Sequence, residues 1–201
     1  AIVTGANVGI GRETARGLAE AGLTVVLAVR DVAKGEEARH DIVRSGYGGE
    51  APIGTTKNDR VTVLPLDLGS RASITAFVSA FKEAHPRLDV LVNNAGIWPR
   101  SRTTTVDGFE TTFGVNHLGT FLLTRELLSV LEASAPSRIV VVSSGIHYRG
   151  RMEWDDLQFE TRRYAGTAAY AQSKLANVLF TKALARRLEG TGVTVNAVHP
   201  G

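Results

Sequence analysis

The sequence predicts an open, parallel, doubly wound α/β sheet, and two observations carry that prediction. Short apolar runs alternate with longer stretches of helical period along the whole chain. The runs are continuously rich in Val, Ile and Leu rather than alternating, as strands buried on both faces are. Right-handed crossovers then leave little freedom in the topology. With 201 residues the chain suits one domain with a substantial core, and 1–201 is read as that domain.

The first strand, 1–4, runs straight into TGANVGIG (4–11), and a helical pattern follows near 10–22. The second strand, 24–29, precedes a helical stretch at 32–45. A loop at 46–60 containing Gly, Pro and Thr leads to the third strand, 61–66, and a helix at 70–84. The fourth strand, 89–92, closes on NNAG (93–96). A long helical pattern at 107–133 has Asn116 inside it. Asn is a poor mid-helix residue, so it predicts a bend or a buried hydrogen-bonding role. The fifth strand, 138–143, ends in VVSSG, and a helix at 168–189 and a sixth strand at 193–198 complete the pattern. The long loop between them, 145–167, carries Trp154, Phe159, Arg162, Arg163 and Tyr164, and its aromatics predict partial order.

Composition narrows the chemistry. Apolar residues make up 43% and charged residues 21%, as in an ordinary soluble protein. No apolar stretch approaches a membrane span, and no secretory signal pattern opens the chain. The absence of cysteine excludes disulfides, thiolate metal sites and a cysteine nucleophile, and fits a cytoplasmic or other reducing compartment. A net charge of +3 without a basic tract does not suggest nucleic acid. The five histidines show no metal-binding spacing; His117 and His199 are read as structural and no metal is expected.

The glycine turn has a physical purpose. Gly5 lies where the first strand ends, and Gly9 and Gly11 where the helix begins. A tight strand-to-helix turn needs angles that side chains resist, and a bare backbone admits a ligand. The helix N-terminus then offers free N–H groups and partial positive charge, which suit a pyrophosphate. The spacing G-x-x-x-G-x-G differs from the G-x-G-x-x-G fingerprint and is not a Walker A loop. Taken alone it is compatible with a turn that binds nothing. Asp67 and NNAG, at the ends of the third and fourth strands, fall where ligands of such sheets bind, although turn chemistry alone also favours these residues.

YAQSK sets Tyr170 and Lys174 four apart on a predicted helix, hence on one face. A neighbouring ammonium favours the phenolate, so the pair makes a general acid and base, with plain helix packing as the alternative. Ser143 and Ser144 end the fifth strand, where a hydroxyl can hold a substrate oxygen or merely cap a turn.

TGANVGIG, Asp67, NNAG, Asn116, Ser144, YAQSK and HPG (199–201) occur in an order that resembles the short-chain dehydrogenase/reductase family over essentially the entire chain. The resemblance implies a Rossmann-type domain that carries both cofactor and catalytic residues. It implies Tyr170 as proton donor and acceptor and Lys174 as the group that lowers its pKa and binds the nicotinamide ribose. Ser144 would orient the substrate oxygen, and Asn116 would hold a water of a proton relay. Cofactor contacts are implied at Gly5, Asn7, Gly9, Ile10, Gly11, Asp67, Leu68, Asn94, Ala95, Gly96, Tyr170, Lys174, Pro200 and Gly201. Family members often pair through the helices around 107–133 and 168–189, which makes a homodimer a further expectation.

The second strand ends VVLAVRD. Val29 stands where NAD-preferring members carry an acid, and Arg30 follows it. A guanidinium there suits a 2′-phosphate, with Arg12 assisting, so NADP(H) is expected over NAD(H). A one-residue shift would instead bring Asp31 to the ribose. Ser144 and Tyr170 are 26 positions apart, wider than in compact family members, so 145–167 contains an insertion. With VRD, VNHLG and QSKLANVLF, this resembles the retinol-dehydrogenase-like branch, which often handles lipophilic alcohols, aldehydes and ketones. Trp98, His147, Tyr148 and Trp154 are candidates for an apolar pocket. Both ends look cut: the chain opens within a strand and stops after a turn, with the last strand and a substrate-closing loop of the family expected beyond Gly201. Two other readings compete with a carbonyl reductase or alcohol dehydrogenase. A nucleotide-sugar epimerase or dehydratase also uses Tyr-x-x-x-Lys, but usually with other glycine spacing. A non-catalytic NADP(H) sensor commonly loses the Tyr/Lys pair.

Overall fold

The computed structural model describes residues 1–45 and 60–201, so the loop expected at 46–60 lies outside the described residues except for Arg60. Six strands form one parallel sheet: β1 (Ile2–Thr4), β2 (Val25–Val29), β3 (Val61–Pro65), β4 (Val90–Asn93), β5 (Ser137–Val142) and β6 (Val193–Val198). Their order across the sheet is β3-β2-β1-β4-β5-β6. The order reverses between β1 and β4, and that switch opens a crevice beyond the strand ends.

The helices are α1 (Gly9–Glu20), α2 (Val32–Arg44), α3 (Arg71–Ala84), α4 (Thr111–Phe113), α5 (Thr120–Ala133) and α6 (Gly166–Arg187). Because successive strand residues point to opposite faces, Ile2 and Val3 enter different cores. On one face Ala15 and Ala19 of α1 and Ala38 and Ile42 of α2 pack on Val3, Leu27 and Val29. On the other, Phe77 and Phe81 of α3, Leu123 and Leu127 of α5 and Leu184 of α6 pack on Ile2, Val26, Leu91 and Ile139. Each fully buried side chain of this size contributes about 1.5–3 kcal/mol. Among the described residues no helix is long and apolar enough to cross a membrane.

The fourth helical region departs from the expected 107–133. It begins at Thr111, because residues before it have other uses. Asp107 accepts a hydrogen bond from the Arg71 backbone N–H at 2.6 Å, and Gly108 has a φ of 85°. The buried Glu110 carboxylate then caps α4, accepting from the N–H groups of Thr112 and Phe113 at 2.8 and 2.7 Å. Between α4 and α5 the chain makes a π-helical turn, Gly114–Gly119, with Asn116 at its centre. Such turns accommodate one extra residue and often mark functional positions.

Candidate active site

The crevice at the switch point has a volume of about 480 Å³. Its floor is the glycine turn. Gly5 has a φ of 64°, and a Cβ on Gly11 would lie 2.4 Å from Asn94 Nδ2 and 2.5 Å from the Gly5 carbonyl oxygen. Only glycine fits both positions. Val8 precedes α1 and supplies no side-chain cap, and no acidic residue sits in the first turn. The N-terminal N–H groups of α1 thus face the crevice uncapped by protein side chains, as an anion requires.

Beside the turn, β4 is laced to β1. Thr4 Oγ accepts from the backbone N–H groups of Asn94 and Ala95, both at 2.9 Å, and donates to the Val92 carbonyl at 3.4 Å. Asn94 Nδ2 donates to the Thr4 carbonyl at 2.9 Å. Asn94 therefore holds two strand ends together while lining the crevice with Ala95 and Gly96. Asp67 and Leu68 line it from the end of β3, with Asp67 Oδ1 accepting from the Gly69 N–H at 2.8 Å.

Arg30 lines the far end together with Asp31 and Lys34. Asp31 is the N-cap of α2: its carboxylate accepts from the Lys34 N–H at 3.2 Å and pairs with the Lys34 ammonium at 3.6 Å. Lys34 is absent from the sequence expectation, although its place one turn past Arg30 was a readable signal. Arg12 departs from expectation. It pairs with Glu13 at 3.2 Å and Asp41 at 3.6 Å and does not line the crevice. Pro200 and Gly201 do not line it either, whereas Asn7, Gly9 and Ile10 do.

Four of the expected residues converge beside the crevice. Tyr170 and Lys174 lie on α6, Ser144 follows β5, and Asn116 sits in the π-helical turn. The Ser144 hydroxyl lies close enough to the Tyr170 phenol to favour its ionised form. Lys174 Nζ lies 5.5 Å from the Tyr170 ring centroid and donates to the Val142 carbonyl at 2.8 Å. A Cβ on Gly96 would lie 3.3 Å from that ammonium, so the amine reaches the crevice wall at Gly96. Lys174 is only 2% exposed, and burial lowers its pKa to about 8.

The phenol behaves differently from the sequence expectation. Burial raises the Tyr170 pKa, and the nearby Ser144 hydroxyl offsets this only in part. In the chain itself no lowering by Lys174 overcomes desolvation, so Tyr170 is a phenol at neutral pH and a proton donor.

Asn116 performs both roles its position suggested. It is fully buried. Its Oδ1 accepts from the Ile97 N–H at 2.8 Å, and its Nδ2 donates to the Ile97 carbonyl and to Ser173 Oγ, both at 3.0 Å. Its own carbonyl accepts from Asn177 Nδ2 at 2.9 Å. The side chain braces the Ile97 backbone, which follows β4, against α6.

The insertion after β5 is ordered around a buried cluster. It contains two 3-10 helices, Gly145–Arg149 and Trp154–Asp156. Arg162 lies 3.6 Å from the Phe159 ring centroid and donates to Gln172 Oε1 at 2.8 Å. Gln172 Nε2 donates to the Leu157 carbonyl at 3.0 Å, and Tyr164 donates to Glu110 at 3.1 Å. The Gln172 bonds tie the insertion to the turn of α6 that carries Tyr170, and the Tyr164 bond ties it to the cap of α4. The expected pocket aromatics divide. Tyr148 and Trp154 stand in solvent at 85% and 70% exposed, and the His147 ring packs on Tyr148 at 4.1 Å. Trp98 stacks on Tyr170 at 5.1 Å, and His147 Nδ1 hydrogen-bonds the Ser144 carbonyl at 2.6 Å. His117 hydrogen-bonds Asn177 Oδ1 at 3.0 Å, and His199 Nδ1 accepts from the Gly145 N–H at 3.1 Å.

The pattern that defines short chain dehydrogenases matches residues 1–201. Human retinol dehydrogenase 13 is 53% identical over 200 residues, which is 100% of this chain and 57% of the relative. Among solved structures, an uncharacterised protein of Mycobacterium paratuberculosis is 44% identical, with a TM-score of 0.83 over 100% of this chain and 67% of its own. The Pseudomonas aeruginosa RhlG/NADP active-site complex is 29% identical, with a TM-score of 0.76 over 100% of this chain and 71% of its own. The chain spans 57–60% of the length of the curated relatives it matches.

Proposed function

The chain belongs to the short-chain dehydrogenase family, and on that premise we propose that it is an oxidoreductase of retinol-dehydrogenase-like type that moves a hydride between NADP(H) and a carbonyl or alcohol, with Tyr170 as general acid and base. The observation that carries this reading is the buried Lys174 ammonium, 5.5 Å from the Tyr170 ring centroid and at the crevice wall beside Gly96.

The crevice fits a dinucleotide. The Gly5–Gly11 turn leaves room where a side chain would collide, and the uncapped start of α1 suits the pyrophosphate. Arg30 and Lys34 offer two cations to a 2′-phosphate. Asp31 is engaged as the cap of α2 and as a partner of Lys34, which favours the 2′-phosphate reading over an acid–ribose contact. The RhlG structure, a relative in fold, is described as an NADP complex, which supports the same cofactor here.

The bound nicotinamide supplies the hydride. In reduction Tyr170 gives its phenolic proton to the substrate oxygen, and in oxidation it takes the alcohol proton back. Ser144 holds the same oxygen and steadies its developing charge. The Lys174 ammonium lowers the cost of the phenolate left behind and reaches toward the ribose. Asn116 fixes the Ile97 peptide at the crevice wall. A lipophilic substrate and a single domain spanning 1–201 belong to the same reading. So does pairing of two copies over the apolar groove between α5 and α6, lined by Phe121, Leu128 and Phe180, which sedimentation of the full-length protein tests.

The decisive experiment is a screen of carbonyls and alcohols with NADPH and NADP⁺ on the full-length protein and its Tyr170→Phe variant. Turnover that depends on the phenol, with cofactor binding intact in the variant, supports the reading. Turnover that survives the substitution ends it.

A further inference from the structure

The residue after Ile97 is a tryptophan that does not line the crevice. Trp98 is 56% exposed, yet its indole lies nearly parallel to the Tyr170 ring, with 12° between the planes and 5.1 Å between centroids. An exposed indole is free to take many rotamers unless its anchor is fixed. Here the anchor is fixed twice. Asn116 bonds both the N–H and the carbonyl of Ile97, the peptide unit from which Trp98 departs. Downstream, a Cβ on Gly166 would lie 2.6 Å from the Pro99 carbonyl oxygen and 3.5 Å from Trp98 Nε1, so segment 98–99 presses directly on the start of α6.

The same brace reaches the phenol from the other side. Asn116 Nδ2 bonds Ser173 Oγ, which in turn donates to the Tyr170 carbonyl at 2.8 Å. Trp98, Ile97, Asn116, Ser173 and Tyr170 therefore form a closed ring of contacts across three elements. We infer that Trp98 is a positioning residue, clamping the Tyr170 ring so that its oxygen stays beside Ser144. This rests on the proposed role of Tyr170 as acid and base. A phenol free to swing about its Cα–Cβ bond would spend much of its time away from the geometry that sets up proton transfer.

Kinetics and unfolding test this separately, in the full-length protein. Trp98→Ala is expected to lower kcat for carbonyl reduction by about tenfold, with KM and NADPH affinity within about twofold of the parent. Trp98→Phe keeps a flat ring at the same anchor and is expected to recover most of the lost kcat. An unchanged kcat in Trp98→Ala overturns the inference, as does a Phe variant no better than Ala. The contact itself is read without turnover by a double-mutant cycle on thermal unfolding with Trp98→Ala and Tyr170→Ala. Coupled effects support the clamp, and strictly additive ones refute it. If Tyr170→Phe retains full turnover, the acid–base reading fails while this cycle still reports whether the rings hold each other.

Discussion

The two ends of the crevice are built on opposite principles. At the cofactor end the structure works by omission: Gly5 and Gly11 leave bare backbone, and α1 starts without a side-chain cap. At the catalytic end it works by addition: the buried side chains of Asn116, Ser173 and Lys174 make hydrogen bonds around Tyr170. The difference teaches where each end is vulnerable. One is damaged by adding atoms, the other by removing them.

Removal at the catalytic end gives the largest effect. Tyr170→Phe takes away one oxygen and should cut turnover by about 10²–10⁴-fold, with NADPH affinity by calorimetry unchanged. Addition at the cofactor end comes next. Gly11→Ala puts a methyl within 2.4 Å of Asn94 Nδ2, and it should weaken NADPH binding at least about tenfold and destabilise the fold by about 1–3 kcal/mol in urea melts. An Ala variant that binds normally would break the contrast between the two ends.

Lys174→Met sharpens it. Turnover should be lost, yet stability should rise at neutral pH. The folded pKa of about 8 lies below the ordinary lysine value of 10.5. Between those values the unfolded chain holds a proton that the folded chain lacks, so native stability climbs as pH rises through that window. Below pH 8 the cost of the buried charge is present in full. The Met variant should therefore be more stable by about 2 kcal/mol at pH 7, the gap narrowing toward pH 10 in denaturant titrations. The smallest effect belongs to the far end. Arg30→Ala should weaken NADPH about tenfold and leave NADH affinity unchanged, since Lys34 retains part of the phosphate site.

The same contrast explains what could be read from the sequence. The glycine turn was legible because the reason for it is local: a backbone that must bend within seven residues states its need in composition. All six strands were legible within a residue or so at each end, because burial on both faces leaves continuous apolar runs. The break at Asn116 was legible as a bend or a buried bond, and it proved to be both. Other features depend on partners far along the chain. Glu110 caps α4 and receives Tyr164, 54 positions away. Trp98 meets Tyr170 only because Asn116 fixes the peptide beside it. Arg12 pairs with Asp41 on a different helix, a partner that its place after the glycine turn does not announce. The raised pKa of Tyr170 likewise reflects packing around the phenol, whereas spacing on a helix registers only the nearby lysine.

The hydroxyl of Thr4 has one proton to give and two lone pairs to offer, and all three are spoken for at the seam between β1 and β4. A seam so saturated cannot gape to admit a guest. The central strands behave as a fixed anvil, and any motion that closes over an arriving molecule is left to the loops at the rim. Among the other amino acids only serine carries a hydroxyl of the same reach, so this threonine has almost no room to drift.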